Sequence, residues 1–177
     1  ALLAPGDADG LALACIGDPS VLSRPALALM PRARRARVLR LWVAGLGLPP
    51  LPAGGVAAIE STLLPAPADA NACYAWHGAE IRAWRDQLHA GRPVAALPSG
   101  WMAQWDGAIP LGLPGGSTLR LDPPARFDAA MTVRARAGGE RIALPGREHS
   151  HALKHVLQEL GVPPWRRAAM PLLVDAA

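Results

Sequence analysis

Apolar positions along this 177-residue chain recur every three to four residues in its first third and nearer every second residue afterwards. The first period belongs to helices and the second to strands. Residues 8–16 are rich in Ala and Leu and predict a short helix, limited by Gly10 and Gly17. In "RARRARVLRLWVAG" the residues Leu39, Trp42, Val43 and Leu46 fall at i, i+3, i+4 and i+7, one helical face. Pro31 suits the first turn of that helix, where a missing N–H costs nothing. Gly45, Gly47 and Pro49-Pro50 end it. "GGVAAIESTLL" predicts a shorter helix with Val56, Ile59 and Leu63 on one side, stopped by Pro65 and Pro67.

The period then shortens. "ACYAWHGAEIRAWRDQLHA" predicts strands around 72–77 and 80–85, with a weaker one near 88. Gly78 and Asp86-Gln87 supply turn chemistry between them. Asp106-Gly107 is a hairpin signal, and "LPGGSTLR" reads as a tight turn between strands. "DPPARFD" (122–128) reads as a linker or turn. In "MTVRARAGGERIAL", Met131, Val133 and Ala135 alternate with Thr132, Arg134 and Arg136. Gly138-Gly139 can take the positive φ of a tight turn, and Ile142 and Leu144 resume the apolar face, so this stretch predicts a hairpin. Ser150 then predicts an N-cap. A helix over 151–160 would turn Leu153, Val156, Leu157 and Leu160 inward and His151, His155, Gln158 and Glu159 outward. Gly161 fits the C′ position, and Pro163-Pro164 prevent continuation. Trp165 reads as a core anchor rather than a base-stacking platform.

The expected fold class is α+β. A helical N-terminal subdomain is followed by strands and hairpins, then by a small mixed α/β domain with a Gly-Gly hairpin and one capped amphipathic helix. The expected division is 1–90, a strand-rich connector over 91–128, and 129–177.

Charge adds one point to this picture. Basic residues outnumber acidic ones 18 to 14, for a net charge of +4, and Lys154 is the single lysine among them. Arg offers a planar fork suited to phosphate, although an Arg-, Ala-, Gly- and Pro-rich coding bias would give the same excess. Nucleic-acid binding is permitted by this charge and not required by it. Cys15 and Cys73 show no metal spacing and read as belonging to a reducing, cytoplasmic protein, with a disulfide between them left open. No apolar run is long enough to span a bilayer, so no membrane partner is expected. The first residue is Ala1, no basic leader precedes the apolar residues, and the expectation is a piece of a longer chain.

Catalytic chemistry is not visible. His151 and His155, one helical turn apart, could chelate an ion with His149 nearby. No third ligand of convincing spacing accompanies them, and exposed histidines are the preferred reading, so no metal is expected. "LPGGSTLR" lacks the Lys-Ser/Thr ending of a phosphate loop. Neither a G-x-S-x-G elbow nor a persuasive carboxylate pair is present. Candidate anion contacts are more numerous. Arg147 precedes the expected N-cap, where helix N–H groups and dipole favour phosphate. Lys154 flanks the apolar stripe, Arg166-Arg167 follow the helix, and Arg134 and Arg136 lie on the polar hairpin face, with Arg141 opposite Ile142. Solvation of a small domain explains these residues equally well. Arg32, Arg34, Arg35, Arg37 and Arg40 surround the helix over 32–44. RNA phosphate or a neighbouring domain would suit some, while stems covering apolar surface explain any one as readily.

"GGERIALPGREHSHALKHVLQELGVPPWRRAAMPLL" resembles the C-terminal domain of the tRNA(Ile)-lysidine synthetase family. The matching features are Gly138-Gly139-Glu140, Gly146-Arg147, Leu153-Lys154, Pro163-Pro164-Trp165-Arg166 and Pro171-Leu172. "RARRARVLRLWVAGLGLPPLP" followed by "YAWHGAEIRAWRDQLHA" is similar to the family's middle, substrate-recognition domain. The stretch from about 90 to 128 matches no familiar pattern. Relatives often continue past "VDAA" with another strand.

The resemblance implies a parent ligase that uses ATP, with magnesium, to adenylate the wobble cytidine of tRNA(Ile). Lysine then displaces AMP, changing codon reading from AUG to AUA. The family's S-G-G-x-D-S motif is absent here, because Gly115-Gly116-Ser117 lacks the leading Ser and the Asp. The implied role is therefore the tRNA-binding portion, inactive alone and without a cofactor of its own. Its implied RNA contacts are Arg134, Arg136, Arg147, Lys154, Arg166 and Arg167, with Arg34 and Arg37 from the first segment. The rival reading is a structural or homodimerisation module that touches no RNA and carries an apolar patch near Trp76, Trp84, Trp101 or Trp105.

Overall fold

Residues 6–68, 70–146 and 149–175 are described by the structure, a computed structural model. The fold is α+β, and the chain divides into two compact units, Ala1–Pro93 and Val94–Ala177.

The first unit opens with α1 (Asp7–Ala14), β1 (Cys15–Ile16), β2 (Asp18–Ser23), α2 (Arg24–Ala28) and α3 (Arg32–Gly45). Next comes α4 (Ala53–Ala58), which runs into a π-helical turn, Ile59–Leu63. Three strands complete it: β3 (Cys73–Trp76), β4 (Ala79–Trp84) and β5 (Gln87–Gly91). The strands form one antiparallel sheet in the order β1-β2-β5-β4-β3. Alternation puts Ile81, Ala83, Leu88 and Ala90 on one face, where they join Leu39, Val43, Ile59 and Leu63 in a continuous core. The helical faces are those the period predicts: Leu39, Trp42, Val43, Val56, Ile59 and Leu63 are buried.

Two indoles pin this core to loop carbonyls. Trp42 Nε1 donates to Pro19 O at 2.8 Å and Trp76 Nε1 to Pro49 O at 3.0 Å, which satisfies the one polar group of each ring. Gly10 lets α1 approach α3 closely, since a Cβ there would stand 3.0 Å from Val38 Cγ2 and 3.1 Å from Arg34 Nε.

Four details of this unit differ from expectation. Cys15 and Ile16, read as the end of a helix over 8–16, form β1 against β2, and Gly10 lies inside α1 rather than limiting it. Residues 18–28, unassigned from the pattern, supply β2 and α2. The weak strand near 88 is β5, the middle of the sheet, paired with β2 and β4. The turn before it is Arg85-Asp86, because Trp84 pairs with Gln87. An apolar run bounded by a polar turn reads as a weak strand when its partners lie far away in sequence.

The second unit holds β6 (Met102–Trp105), β7 (Leu111–Gly112), β8 (Thr118–Leu119), β9 (Met131–Arg134), β10 (Arg141–Ala143) and β11 (Ser150–Ala152). After these come α5 (Leu153–Glu159), α6 (Pro164–Ala169) and β12 (Leu172–Val174). The main sheet has the order β12-β9-β6, with Val133 fully buried at its centre. Leu97, Leu113 and Ala135 form a second small core with Trp101, Leu111 and Leu119 against it. Residues 94–128, read from the sequence largely as a connector, thus contribute an edge strand and core side chains to this unit.

The "LPGGSTLR" turn joins β7 to β8 as expected. The hairpin over 131–144 does not form. Both edges of β9 are occupied, by β6 and β12, so β10 pairs with β11 instead. Ile142, expected on an inner face, is exposed. Asp106-Gly107 makes a local turn in which the Asp106 carboxylate accepts the Ala108 N–H at 2.9 Å, but it joins no hairpin, since β6 pairs with β9.

Ser150 is not an N-cap. It lies in β11, where its Oγ accepts from Arg141 Nε at 2.8 Å, and Ala152 precedes α5 without a side-chain cap. His151 therefore sits on a strand, apart from His155 on α5. Leu153, Val156 and Leu157 turn inward as predicted, whereas Leu160, the residue that ends the helix, is 71% exposed. Gly161 adopts φ +70°. Its N–H donates to Gln158 O, and that of Val162 donates to Leu157 O, the pairing that closes a helix on a C′ glycine. Pro163-Pro164 do more than stop α5: Pro164 opens α6. Trp165 is half-buried.

Candidate nucleic-acid interface

The arginines of α3 point to packing before they point to a ligand. Glu60, in the π-helical turn, accepts from Arg32 Nε at 3.0 Å and from Arg35 at 2.9–3.0 Å. Arg35 also donates to the carbonyls of Leu27, Ala28 and Met30. Arg37 Nε meets the buried Asp7 carboxylate at 2.8 Å, and Arg34 Nη2 meets Gly6 O at 2.7 Å. Arg34 and Arg37, expected as RNA contacts, therefore tie α1 to α3. A guanidinium with donors to spare can still reach a phosphate, and half of the Arg37 side chain remains exposed.

A further arginine escaped the sequence reading. Arg24 is 8% exposed and has no carboxylate partner among the described residues. Its guanidinium donates to the carbonyls of Leu64, Ala66 and Arg85, which binds the exit of the π-helical turn and the β4–β5 turn to the start of α2. Position gives the only hint: Arg24 stands alone between Ser23 and Pro25, not in a basic run. On β4, Glu80 and Arg82 form a two-bonded pair at 2.8 Å, and Arg82 Nη1 reaches Asn71 at 3.3 Å. This pair explains the E-I-R spacing structurally.

In the second unit, Lys154 and His155 are exposed on α5, and Arg166 and Arg167 occupy the last turn of α6, where positive charge suits the helix dipole. Arg167 Nε also donates to Val162 O at 2.5 Å. Arg147 lies outside the described residues. The anion seat expected at the start of the last amphipathic helix changes character, because α5 is short, Ser150 does not cap it, and the Leu153 N–H donates to Glu140 O at 2.8 Å.

Glu140 gathers the remaining groups. Its Oε1 accepts the N–H groups of Ala137 at 2.5 Å and Gly138 at 2.9 Å, closing the Gly-Gly turn with its own side chain. Arg134 Nη1 stands 3.6 Å from Oε1, and Arg136 Nη2 stands 3.6 Å from Oε2. Only 6% of the Glu140 side chain is exposed. Burial works to raise its pKa, but the N–H groups of Ala137, Gly138 and Glu140 itself, with the Arg136 charge, outweigh that and hold the carboxyl below its ordinary value. Arg134 and Arg136 thus meet not on an exposed hairpin face but around a carboxylate that the charge pattern did not single out. A lone acidic residue among Arg134, Arg136 and Arg141 was the available signal.

No grouping of three or more metal-ligating side chains occurs among the described residues. Both cysteines are free. No helix is long and apolar enough to cross a membrane. Trp76, Trp84 and Trp105 are buried and Trp101 is half-buried, so these indoles lie inside their units.

Comparison with known proteins decides the family. Residues 22–89 match the description "TilS substrate binding domain", and residues 131–176 match "TilS substrate C-terminal domain". This chain carries the two substrate domains of the TilS family. It is 50% identical to the tRNA(Ile)-lysidine synthase of Xylella fastidiosa (strain 9a5c) over 173 residues, 94% of this chain and 40% of that protein. It is 56% identical to the tRNA(Ile)-lysidine synthase of Xanthomonas axonopodis pv. citri over 146 residues, 81% of this chain and 33% of that protein. With that of Methylococcus capsulatus the identity is 33% over 153 residues, 82% of this chain and 35% of the relative. The chain therefore spans two fifths or less of these TilS relatives. Its β6–β8 stretch lies between the two matched domains, yet is included when 94% of the chain aligns with a relative.

Proposed function

We propose that this chain is the tRNA-gripping portion of a ligase that attaches lysine to the wobble cytidine of tRNA(Ile). The observation that carries the reading is the pairing of both TilS substrate domains with about 50% identity to lysidine synthases over nearly the whole chain. ATP, magnesium and lysine would be bound by the parts of such an enzyme that this chain does not span, and the chain alone would lack ATP–pyrophosphate exchange. Cytoplasmic action follows from a tRNA substrate.

Within the chain, the second unit offers the better RNA contacts: Lys154, Arg166 and Arg167, the Arg134–Arg136 cluster and, in sequence, Arg147. Guanidinium and ammonium groups there would hold the RNA by its backbone, in a sequence-independent way. The first unit favours the second reading for its own arginines, since Arg35–Glu60 and Arg37–Asp7 link helix to helix. In that unit Arg34 and Arg37 would act as braces first and RNA contacts second.

Fluorescence anisotropy with a labelled tRNA(Ile) transcript tests the reading. Binding should be measurable at about 50 mM salt and fall steeply toward 200 mM, as counterion release requires. Absence of binding at the lower salt, or binding indifferent to salt, would leave the structural-module reading.

A further inference from the structure

We propose that the Gly138-Gly139-Glu140 turn builds a phosphate seat from Arg134 and Arg136, with Glu140 as the positioning residue that sets their spacing. The proposal deepens the RNA-binding reading and rests on it for the source of the phosphate.

Four observations converge on this turn. The first is charge. Two guanidinium groups share one carboxylate, so the cluster keeps a net charge of +1 and accommodates one more anion. The second is an inequality of distance. The carboxylate holds the backbone N–H groups at 2.5 and 2.9 Å but stands 3.6 Å from each arginine. It is anchored to the loop and orients the arginines without saturating them. The third is an unfilled donor: Arg136 Nε is buried without a hydrogen-bond partner. Buried polar atoms in that state call for a missing partner. The fourth is room. Arg134, Arg141, Glu140 and Asp175 form the polar end of a hollow of about 330 Å³ whose apolar wall includes Ile142, Leu153 and Leu172, and Arg136 reaches it only through Glu140.

Extended backbone at the end of β9 and just beyond it sets the arrangement. Val133 and Ala135 are buried, so Arg134 and Arg136 are forced to the opposite side of the chain. The Glu140 carbonyl meanwhile takes the Leu153 N–H, which fixes the turn against the start of α5. A phosphodiester offers two non-bridging oxygens, which share one negative charge, to two planar forks, the geometry in which arginine outperforms lysine.

Glu140→Gln separates positioning from simple charge. It raises the local charge by one while its amide oxygen can still accept the Ala137 and Gly138 N–H groups. If Glu140 merely neutralises arginines, tRNA affinity should rise. If it positions them, affinity should fall roughly tenfold at fixed salt, the scale of one charge-assisted contact. Equal or tighter binding by a variant with unchanged unfolding behaviour overturns the proposal. Arg136→Lys keeps the charge and loses the fork. It should weaken binding severalfold, unchanged affinity counts against the seat, and this variant is read if Glu140→Gln does not fold.

Inorganic phosphate titrated into the full chain, followed by amide NMR, provides an arm that needs no RNA. Shifts should cluster at Ala137, Gly138 and Gly139 in the wild type and vanish in Glu140→Gln. No shift in the wild type overturns the seat whatever the tRNA result. Phosphate shifts without tRNA binding uphold the seat and refute the RNA reading.

Discussion

Replacing Arg24 with Met should remove the clamp that joins three separated segments of the first unit. The side chain is buried, and its guanidinium donates to Leu64 O at 2.6 Å and to the carbonyls of Ala66 and Arg85. Each of these part-buried carbonyls left without a donor costs at most about 1–3 kcal/mol, so the three together would cost at most about 3–9 kcal/mol. Two effects reduce that figure. Water reaches part of the exposed backbone, and Met spares the desolvation of a cation whose Nε has no hydrogen-bond partner. The expected net loss lies toward the lower end of that range, about 3–5 kcal/mol.

Urea unfolding followed by tryptophan fluorescence reads this loss, because Trp42, Trp76 and Trp84 are buried in the same unit. With a denaturant slope of about 2 kcal/mol per M, the midpoint of that unit should drop by about 1.5–2.5 M. Arg24→Lys places its donors on a single atom, which cannot span three carbonyls, and should recover less than half of the difference. A loss below about 1 kcal/mol in the Met variant would show that the carbonyls find other partners, and the clamp argument would be wrong.

Three further outcomes follow from the same geometry. Arg35→Gln should destabilise the first unit by about 1–3 kcal/mol, because it breaks the half-buried Glu60 pair, yet leave the salt slope of tRNA binding unchanged; Lys154→Ala should do the reverse, lowering that slope by about 1 without moving the unfolding midpoint. Paired unfolding and anisotropy measurements check both, and a salt slope altered by Arg35→Gln would return α3 to the RNA interface. The Glu140 carboxyl is depressed in the folded state, so its stabilisation is complete above the ordinary carboxylate value of about 4.3 and is lost as pH falls through the lower folded value. Acid unfolding of the second unit should therefore steepen below about pH 4.3 in the wild type and flatten in Glu140→Gln, and identical acid profiles would contradict the linkage. A peptide of residues 131–177 should show little fixed structure by circular dichroism, whereas 94–177 should fold, because β9 loses its β6 partner and Ala135 its bond to Trp101 O in the shorter piece; equal folding of the two would place the boundary later.

The rival picture of a purely structural module rests on the same contacts that make the first unit coherent. Those contacts do not extend to the second unit's exposed Lys154 or to the incompletely satisfied Arg134–Glu140–Arg136 group. The division of labour proposed for the two units is therefore between arginines that brace helices, such as Arg35 and Arg37, and the Arg134–Arg136 pair around Glu140.

Local physics explains what was legible in the amino-acid sequence. The inward faces of α3 and α4, the Gly161 helix stop and the tight β7–β8 turn depend on residues within a few positions of one another, and sequence alone determined them. So did the α+β class and, through the motif spacing, the family resemblance. Tertiary structure alone decided which strand β9 would choose: a Gly-Gly turn favours a local hairpin only when the strand edge is free, and β6 and β12 had filled both edges. It also decided what each guanidinium does. Arg37 finds Asp7, Arg35 finds Glu60, Arg24 finds three carbonyls, and Arg134 and Arg136 find a single carboxylate. An arginine in a string of letters carries the same charge in all four settings. Only the packing of distant segments determines whether that charge is spent inside the fold or left for a ligand.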